Sequence, residues 1–282
     1  MLTAKVRRLK STGRFLLLLF AAACLASAAL SASATPPATS PAGPEPIPGR
    51  PIKFQRLSLE QGLSQSSVYA IVQDSRGFLW FGTEDGLNKY DGYGFTVYRH
   101  TPGEADSLGH NMIWAIHHDP DGTLWIGTGG GGLNHFDPAT GRFSRYQIAQ
   151  GLSSDHVRAI HQDQEGILWI GTDSGGLNRF DPAKGEFEHY VHDPTDPGTL
   201  PGMVVTALHE DREGVLWVGT DGGGLGCLDR ATGKFERYQH DPADPQSLSS
   251  DAVWALYGDR EGRLWVGTDG GGLNRFDPTG GG

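Results

Sequence analysis

QEGILWIGTDSGGLNRFDP fills residues 164–182. Its indole, Trp169, stands two residues before Gly171. In a strand that spacing puts both on one face. A large ring then lies beside a missing side chain, and a neighbouring sheet can close in and fill the gap. The phrase returns along the chain, with its tryptophan at Trp80, Trp125, Trp169, Trp217 and Trp265. The spacings are 45, 44, 48 and 48 residues. A period of about 40–50 residues points to the blades of a propeller. The tryptophans then read as core, not as a ligand cage.

Each copy divides into four short strands. In the third they are HVRAIHQ (156–162), ILWIGT (167–172), GLNRF (176–180) and EFEHY (186–190). Alternation, β-branched residues and aromatics favour strands, and nothing follows a 3.6-residue period. A D-x-x-G turn separates the first two strands of every copy, from Asp74–Gly77 to Asp259–Gly262. There an aspartate can bond the backbone two residues on, and the glycine accepts positive φ. The expected fold is all-β: a β-propeller of about five four-stranded blades, spanning 66–100, 111–148, 155–191, 203–239 and 251–278. The fifth copy stops after its third strand. Residues 52–63 (IKFQRLSLEQGL) match the fourth-strand-plus-loop segment 142–152 (RFSRYQIAQGL). This predicts that residues 52–59 complete the last blade, with 53–59 pairing to 272–276. The alternative is an open fragment of a larger propeller.

The N-terminus differs in kind. Residues 1–14 carry five basic residues and no acid, 15–30 are apolar, and Ala32-Ser33-Ala34 offers a small-x-small cleavage site. This is the layout of a signal peptide over 1–34, followed by a Pro-rich linker over 35–51. The expected location is periplasmic or secreted, in a bacterium, with an N-terminal anchor in the inner membrane as the alternative. No further membrane span is expected. Cleavage would remove five of the 23 basic residues and none of the 33 acidic ones, taking the net charge from −10 to −15. Such a surface argues against nucleic acid as a partner. It would also remove Cys24 and leave Cys227 alone, so no intrachain disulfide is expected.

The blade pattern V-x-A-[IL]-x-x-D-x-x-G-x-L-W-[IV]-G-T-x-x-G-G-L-N-[RK]-[FY]-D resembles the two-component regulator propeller repeat over about residues 54–278. The resemblance implies the extracytoplasmic sensor part of a receptor whose output is a histidine kinase or a diguanylate cyclase. Related sensors resemble receptors for carbohydrate breakdown products. These 282 residues hold fewer repeats than such sensors usually have, and no kinase or cyclase motif. The expected role is ligand binding without catalysis, with a small molecule such as an oligosaccharide as ligand and a signalling protein as partner. The alternatives are a propeller lyase or glycan hydrolase, or a structural propeller that binds only proteins.

One position breaks the repeat. The residue before the first-strand alanine is Tyr69, Trp114, Arg158, Thr206 and Trp254 in turn. Variation within an otherwise constant frame suggests fit to something asymmetric. Aromatic rings can stack on a sugar face, and an arginine can pair an anion. The candidate ligand-binding residues are therefore Tyr69, Trp114, Arg158 and Trp254, with the hairpin acids Glu84, Asp173, Asp221 and Asp269. Further along the same strand stand Val72, His117, His161, His209 and Tyr257, expected to line the tunnel. No catalytic set, metal site or cofactor motif is expected.

Overall fold

The computed structural model describes residues 54–276. The expected signal peptide and linker lie outside them. Blade 1 comprises β1 (Val68–Gln73), β2 (Leu79–Thr83), β3 (Gly86–Tyr90) and β4 (Phe95–Tyr98). Blade 2 comprises β5 (Ile113–His118), β6 (Leu124–Thr128), β7 (Leu133–Asp137) and β8 (Arg142–Tyr146). Blade 3 comprises β9 (Val157–Gln162), β10 (Leu168–Thr172), β11 (Leu177–Asp181) and β12 (Glu186–Tyr190). Blade 4 comprises β13 (Val205–Glu210), β14 (Leu216–Thr220), β15 (Gly224–Asp229) and β16 (Lys234–Tyr238). Blade 5 comprises β17 (Val253–Gly258), β18 (Leu264–Thr268) and β19 (Gly272–Phe276). Every sheet is an antiparallel meander in chain order. The molecule is the expected all-β, five-bladed propeller.

Blades pack through the Trp–Gly face. A Cβ placed on Gly82, Gly127, Gly171 or Gly219 would stand 2.5–2.7 Å from Ile113, Val157, Val205 or Val253, the first residue of the next blade's inner strand. Each of those wedges is fully buried. The tryptophan two residues earlier packs on the same neighbour. Trp80 meets Phe136 edge-on, with ring centroids 5.7 Å apart, inside a cluster with Leu108, Ile113 and Leu124. Trp80, Trp125, Trp169 and Trp217 are buried as core.

A buried indole N–H needs a partner. In all five blades it is the D-x-x-G aspartate, whose Oδ2 accepts from the indole Nε1 at 2.8–3.2 Å. The other oxygen holds the turn: Asp163 Oδ1 accepts the backbone N–H groups of Glu165 and Ile167, each at 3.0 Å. One carboxylate thus closes a hairpin and satisfies the ring that fills the core.

The two ends differ from the middle. Gly267, the fifth hollow, meets no side chain from another blade. Val68, the first wedge, is 37% exposed. Among the described residues β17 does not pack against β1 as the other inner strands pack on their neighbours. The expected closing strand does not form there either. β19 pairs only with β18, residues 55–58 form no strand, and Leu59–Gln61 is a 3-10 turn capped by Ser58. The turn and the buried Leu63 after it dock residues 58–64 onto blade 1, where the Ser64 N–H donates to Asn88 Oδ1 at 2.9 Å. Residues 147–153 dock on blade 3 in the same way while residues 142–146 remain β8 of blade 2, so it is the unpacked boundary between β17 and β1, and not the turn, that leaves residues 55–57 without a strand partner. Of the two sequence readings, the described residues form the open arrangement.

Asp163 also pairs Arg230 at 3.1 Å, so removing its buried carboxylate strands several donors at once. Asp163→Ala is expected to lower the unfolding free energy by about 2–4 kcal/mol in urea denaturation. An unchanged midpoint would contradict the assigned role of this carboxylate.

Candidate functional site

The variable position has a backbone cause. In blade 1, Val68 pairs Thr83 and Ala70 pairs Gly82, so Tyr69 has no partner across the sheet. Trp114, Arg158, Thr206 and Trp254 are skipped in the same way. Each is the extra residue of a β-bulge. Bulges re-aim a side chain out of the pleat. This one lies where the first strand begins, beside the hairpin joining second and third strands. The Asp173, Asp221 and Asp269 amides donate to the His156, Val204 and Ala252 carbonyls at 2.8–3.0 Å, which holds each hairpin against the bulged strand. Bulge residues and hairpin acids therefore share one rim.

On that rim the candidates gather in groups. The Tyr69 hydroxyl donates to Glu84 Oε1 at 2.6 Å, while Gln65 Nε2 donates to Glu84 Oε2 at 2.6 Å. The bond to Glu84 raises the Tyr69 pKa above its ordinary value. Arg158 Nε donates to Asp173 Oδ1 at 2.6 Å. Its guanidinium lies 4.6 Å from the ring centre of Trp114, on the neighbouring blade, which also faces His156 at 6.0 Å. This makes a layered cation–π group of Trp114, Arg158 and Asp173. Trp254 is 52% exposed. Asp221 lies beside it through a bridge to Ala252. Thr206 differs, since its hydroxyl donates to the carbonyls of Gly219 and Val253 and ties two blades together. His156 and Gln65 were missed in the sequence. Both precede the first strand, where only the fold brings them to the rim.

The histidine series lies at the opposite end of the inner strands and leans across blade boundaries. His117 Nε2 meets Gln162 Oε1 at 3.2 Å. His161 Nε2 lies 3.5 Å from Glu210 Oε2. A Cβ on Gly258 would collide with the His209 ring. Arg230 bridges Glu210 and Asp163, at 2.8 and 3.1 Å. Beside these residues a hollow of about 350 Å³ is lined by strand and turn residues, among them His209, Arg212 and Arg263. Among the described residues no three His, Cys, Asp or Glu side chains converge as a metal site would require. Burial pushes the thiol pKa of Cys227 up to about 11, which makes it a poor nucleophile.

The repeat seen in the sequence matches the family model described as "Two component regulator propeller" at residues 62–85, 107–130, 151–174, 199–222 and 247–270. The chain is built of two-component regulator propeller repeats. A similar solved structure is the extracellular domain of the hybrid two-component system BT3049 of B. thetaiotaomicron. It is 32% identical with a TM-score of 0.70, over 80% of this chain and 30% of that one. The extracellular domain of the one-component system BT4673 from the same organism is 26% identical with a TM-score of 0.62, over 74% of this chain and 27% of that one. "Histidine kinase P4" of Formosa agariphila is 51% identical over 55 residues, 20% of this chain and 4% of its own length. The chain thus spans less than a third of each of these relatives. Its propeller is homologous to extracellular domains of two-component systems. Among the described residues no helix is long and apolar enough to cross a membrane.

Burial depresses the pKa of His117, His161 and His209 below the usual histidine value. The facing acids Asp119, Glu210 and Asp211 oppose the shift without reversing it. The unfolded chain then takes up these protons first, so stability falls as pH drops below about 6.5. The melting temperature is expected to decline from pH 7 to pH 5, and the triple change of these histidines to glutamine is expected to flatten that decline. An equal slope in the triple variant would contradict this assignment.

Proposed function

We propose that this propeller is the extracytoplasmic ligand-binding sensor of a two-component or cyclic-di-GMP type receptor, and that it binds a small oligosaccharide at the bulge rim without turning it over. The observation that carries the reading is the coincidence of the five bulges with a position that varies between blades while its two strand neighbours stay constant in kind. A scaffold that repeats its Trp–Gly core has placed Tyr69, Trp114, Arg158, Thr206 and Trp254 where side chains leave the sheet. Loops and irregularities on a rigid frame are where binding residues concentrate.

The chemistry suits a sugar. The half-exposed indole of Trp254 offers a flat apolar face to the C–H side of a pyranose. Glu84, Asp173, Asp221 and Asp269 accept hydrogen bonds from hydroxyls. Arg158, braced by Asp173 and stacked on Trp114, is a fixed donor for a ring oxygen or a uronic carboxylate. Homology to extracellular domains of two-component systems supports a sensing role and a location outside the cytoplasm. The signalling partner would be the output part of such a receptor.

Calorimetry against a panel of neutral and acidic oligosaccharides, with product analysis, tests the proposal. One panel member is expected to bind unchanged. Trp254→Ala and Arg158→Ala are each expected to weaken it by about tenfold or more. Cleavage of a panel member would replace this reading with a lyase or hydrolase. Silence across the panel, with a protein captured instead, would replace it with a protein-binding propeller.

A further inference from the structure

The rim is not electrically even. In four blades the residue that follows the L-W-x-G-T strand is an acid: Glu84, Asp173, Asp221 or Asp269. Blade 2 has Gly129 in that place, and its hairpin runs on as glycine through residues 129–132. It is the one hairpin of the five that joins second and third strands without a carboxylate.

Nitrogen donors stand around this bare hairpin. A Cβ on Gly130 would point between two exposed imidazoles, 3.6 Å from the His110 ring and 3.8 Å from the His156 ring. His156 is held there by its backbone bridge to Gly129. His110 Nδ1 accepts the Met112 N–H at 3.1 Å. That leaves the ring proton on Nε2, which lies 3.9 Å from the same point. The Trp114 ring faces His156 on one hand and carries the Arg158 guanidinium on the other. Arg158 is anchored through Nε, by Asp173. Among the described residues its two terminal nitrogens donate to no protein group.

The acceptors of this sector are already engaged. Glu84 takes the Tyr69 hydroxyl on one oxygen and the Gln65 amide on the other. Asp155 Oδ1 takes the Ile148 N–H at 3.0 Å, and Asp173 Oδ1 takes Arg158. Blade 4 is the reverse. Only the Asp221 amide is tied, to the Val204 carbonyl, and among the described residues its carboxylate accepts no hydrogen bond. Donors are in excess over blades 2 and 3, and an acceptor is in excess over blade 4.

We propose that the glycine hairpin of blade 2 is the subsite for an acidic unit, so that the rim takes an oligosaccharide with a carboxylate at one end and hydroxyls at the other. This rests on the sensor reading above and narrows its ligand class. His110, His156 and the open fork of Arg158 hold the carboxylate, an arginine fork being the matched partner of a planar anion. The neutral part lies toward Asp221, where a second carboxylate would be repelled.

Calorimetry on the full chain tests this with disaccharide pairs that differ only at C6, carboxylate against hydroxymethyl. The pairs are cellobiouronic acid with cellobiose, and the matching pairs built on maltose and galactobiose. In the pair that binds, the acid member is expected to bind about tenfold or more tighter. Arg158→Gln, or His110→Ala with His156→Ala, is expected to remove that preference. Gly129→Asp restores the acid of the other blades, and Gly129→Asn has the same size without the charge. In both the new Cβ meets Met112 Sδ at 2.9 Å, the movable end of a side chain. The ratio of acid to neutral affinity is expected to be about tenfold lower in the Asp variant than in the Asn variant, a comparison that a shared effect on folding leaves intact. Equal binding of the two members, or a ratio indifferent to charge at residue 129, overturns the inference and leaves the sensor reading standing. Silence from every pair overturns both. Displacement of the bound acid by glucuronate or inorganic sulfate at equal concentration makes the hairpin a site for free anions, and overturns the oligosaccharide as its source.

Discussion

The structure depends on a side chain that is not there. At the fourth position of the first four L-W-x-G-T strands, the absent Cβ admits a branched residue from the next blade. A hydrogen atom replaced by a methyl group would bring carbon within 2.5–2.7 Å of that wedge, far inside van der Waals contact. The close approach lets the neighbouring sheet cover Trp80, Trp125, Trp169 and Trp217. Buried indoles then need an acceptor, and the aspartate of the adjoining turn supplies it. Hollow, wedge, ring and carboxylate form one unit, repeated across every internal blade boundary. Parts that agree locally and globally in this way are what specify a single fold.

That unit also accounts for the division of labour. The core demands the same residues at each blade, so the repeat cannot vary there without loss. The bulge frees one residue per blade from pairing, and the hairpins beside it are held by backbone bonds that any side chain permits. Variation collects at that rim, and the proposed ligand chemistry sits there. At the other end of the inner strands the histidines make contacts across blade boundaries, so their chemistry is spent on packing and on the response of stability to pH.

Much of this was legible in the sequence because its signals are local. The period of the tryptophans, the two-residue step from Trp169 to Gly171 and the D-x-x-G turns each follow from strand or turn geometry. Other features were not legible because they are relations between distant residues. The aspartate was read as a turn residue, and its second oxygen reaching the indole of its own blade shows only when the hairpin closes. The odd residue at Tyr69, Trp114, Arg158, Thr206 and Trp254 was visible as a variation. That it is a bulge depends on register with the next strand, which composition does not encode. The stacking of Arg158 on Trp114 joins two blades and needs the ring geometry. The match between residues 52–63 and 142–152 was real as a pattern, yet the partner strand expected from it does not form among the described residues, because blade 5 does not seat on blade 1 as the other blades seat on their neighbours.

The direct measurement of the central claim is a pair of single-methyl additions read by urea denaturation. Gly171→Ala puts a Cβ against Val205, and overpacking of this kind costs about 1–3 kcal/mol. Gly267→Ala makes the same change where the nearest atoms belong to Ala255 of its own blade, at 3.4 Å or more. The account expects a clear loss for the first and none for the second. Equal tolerance at both positions would mean that blades do not seat on one another through these hollows, and the account would fail.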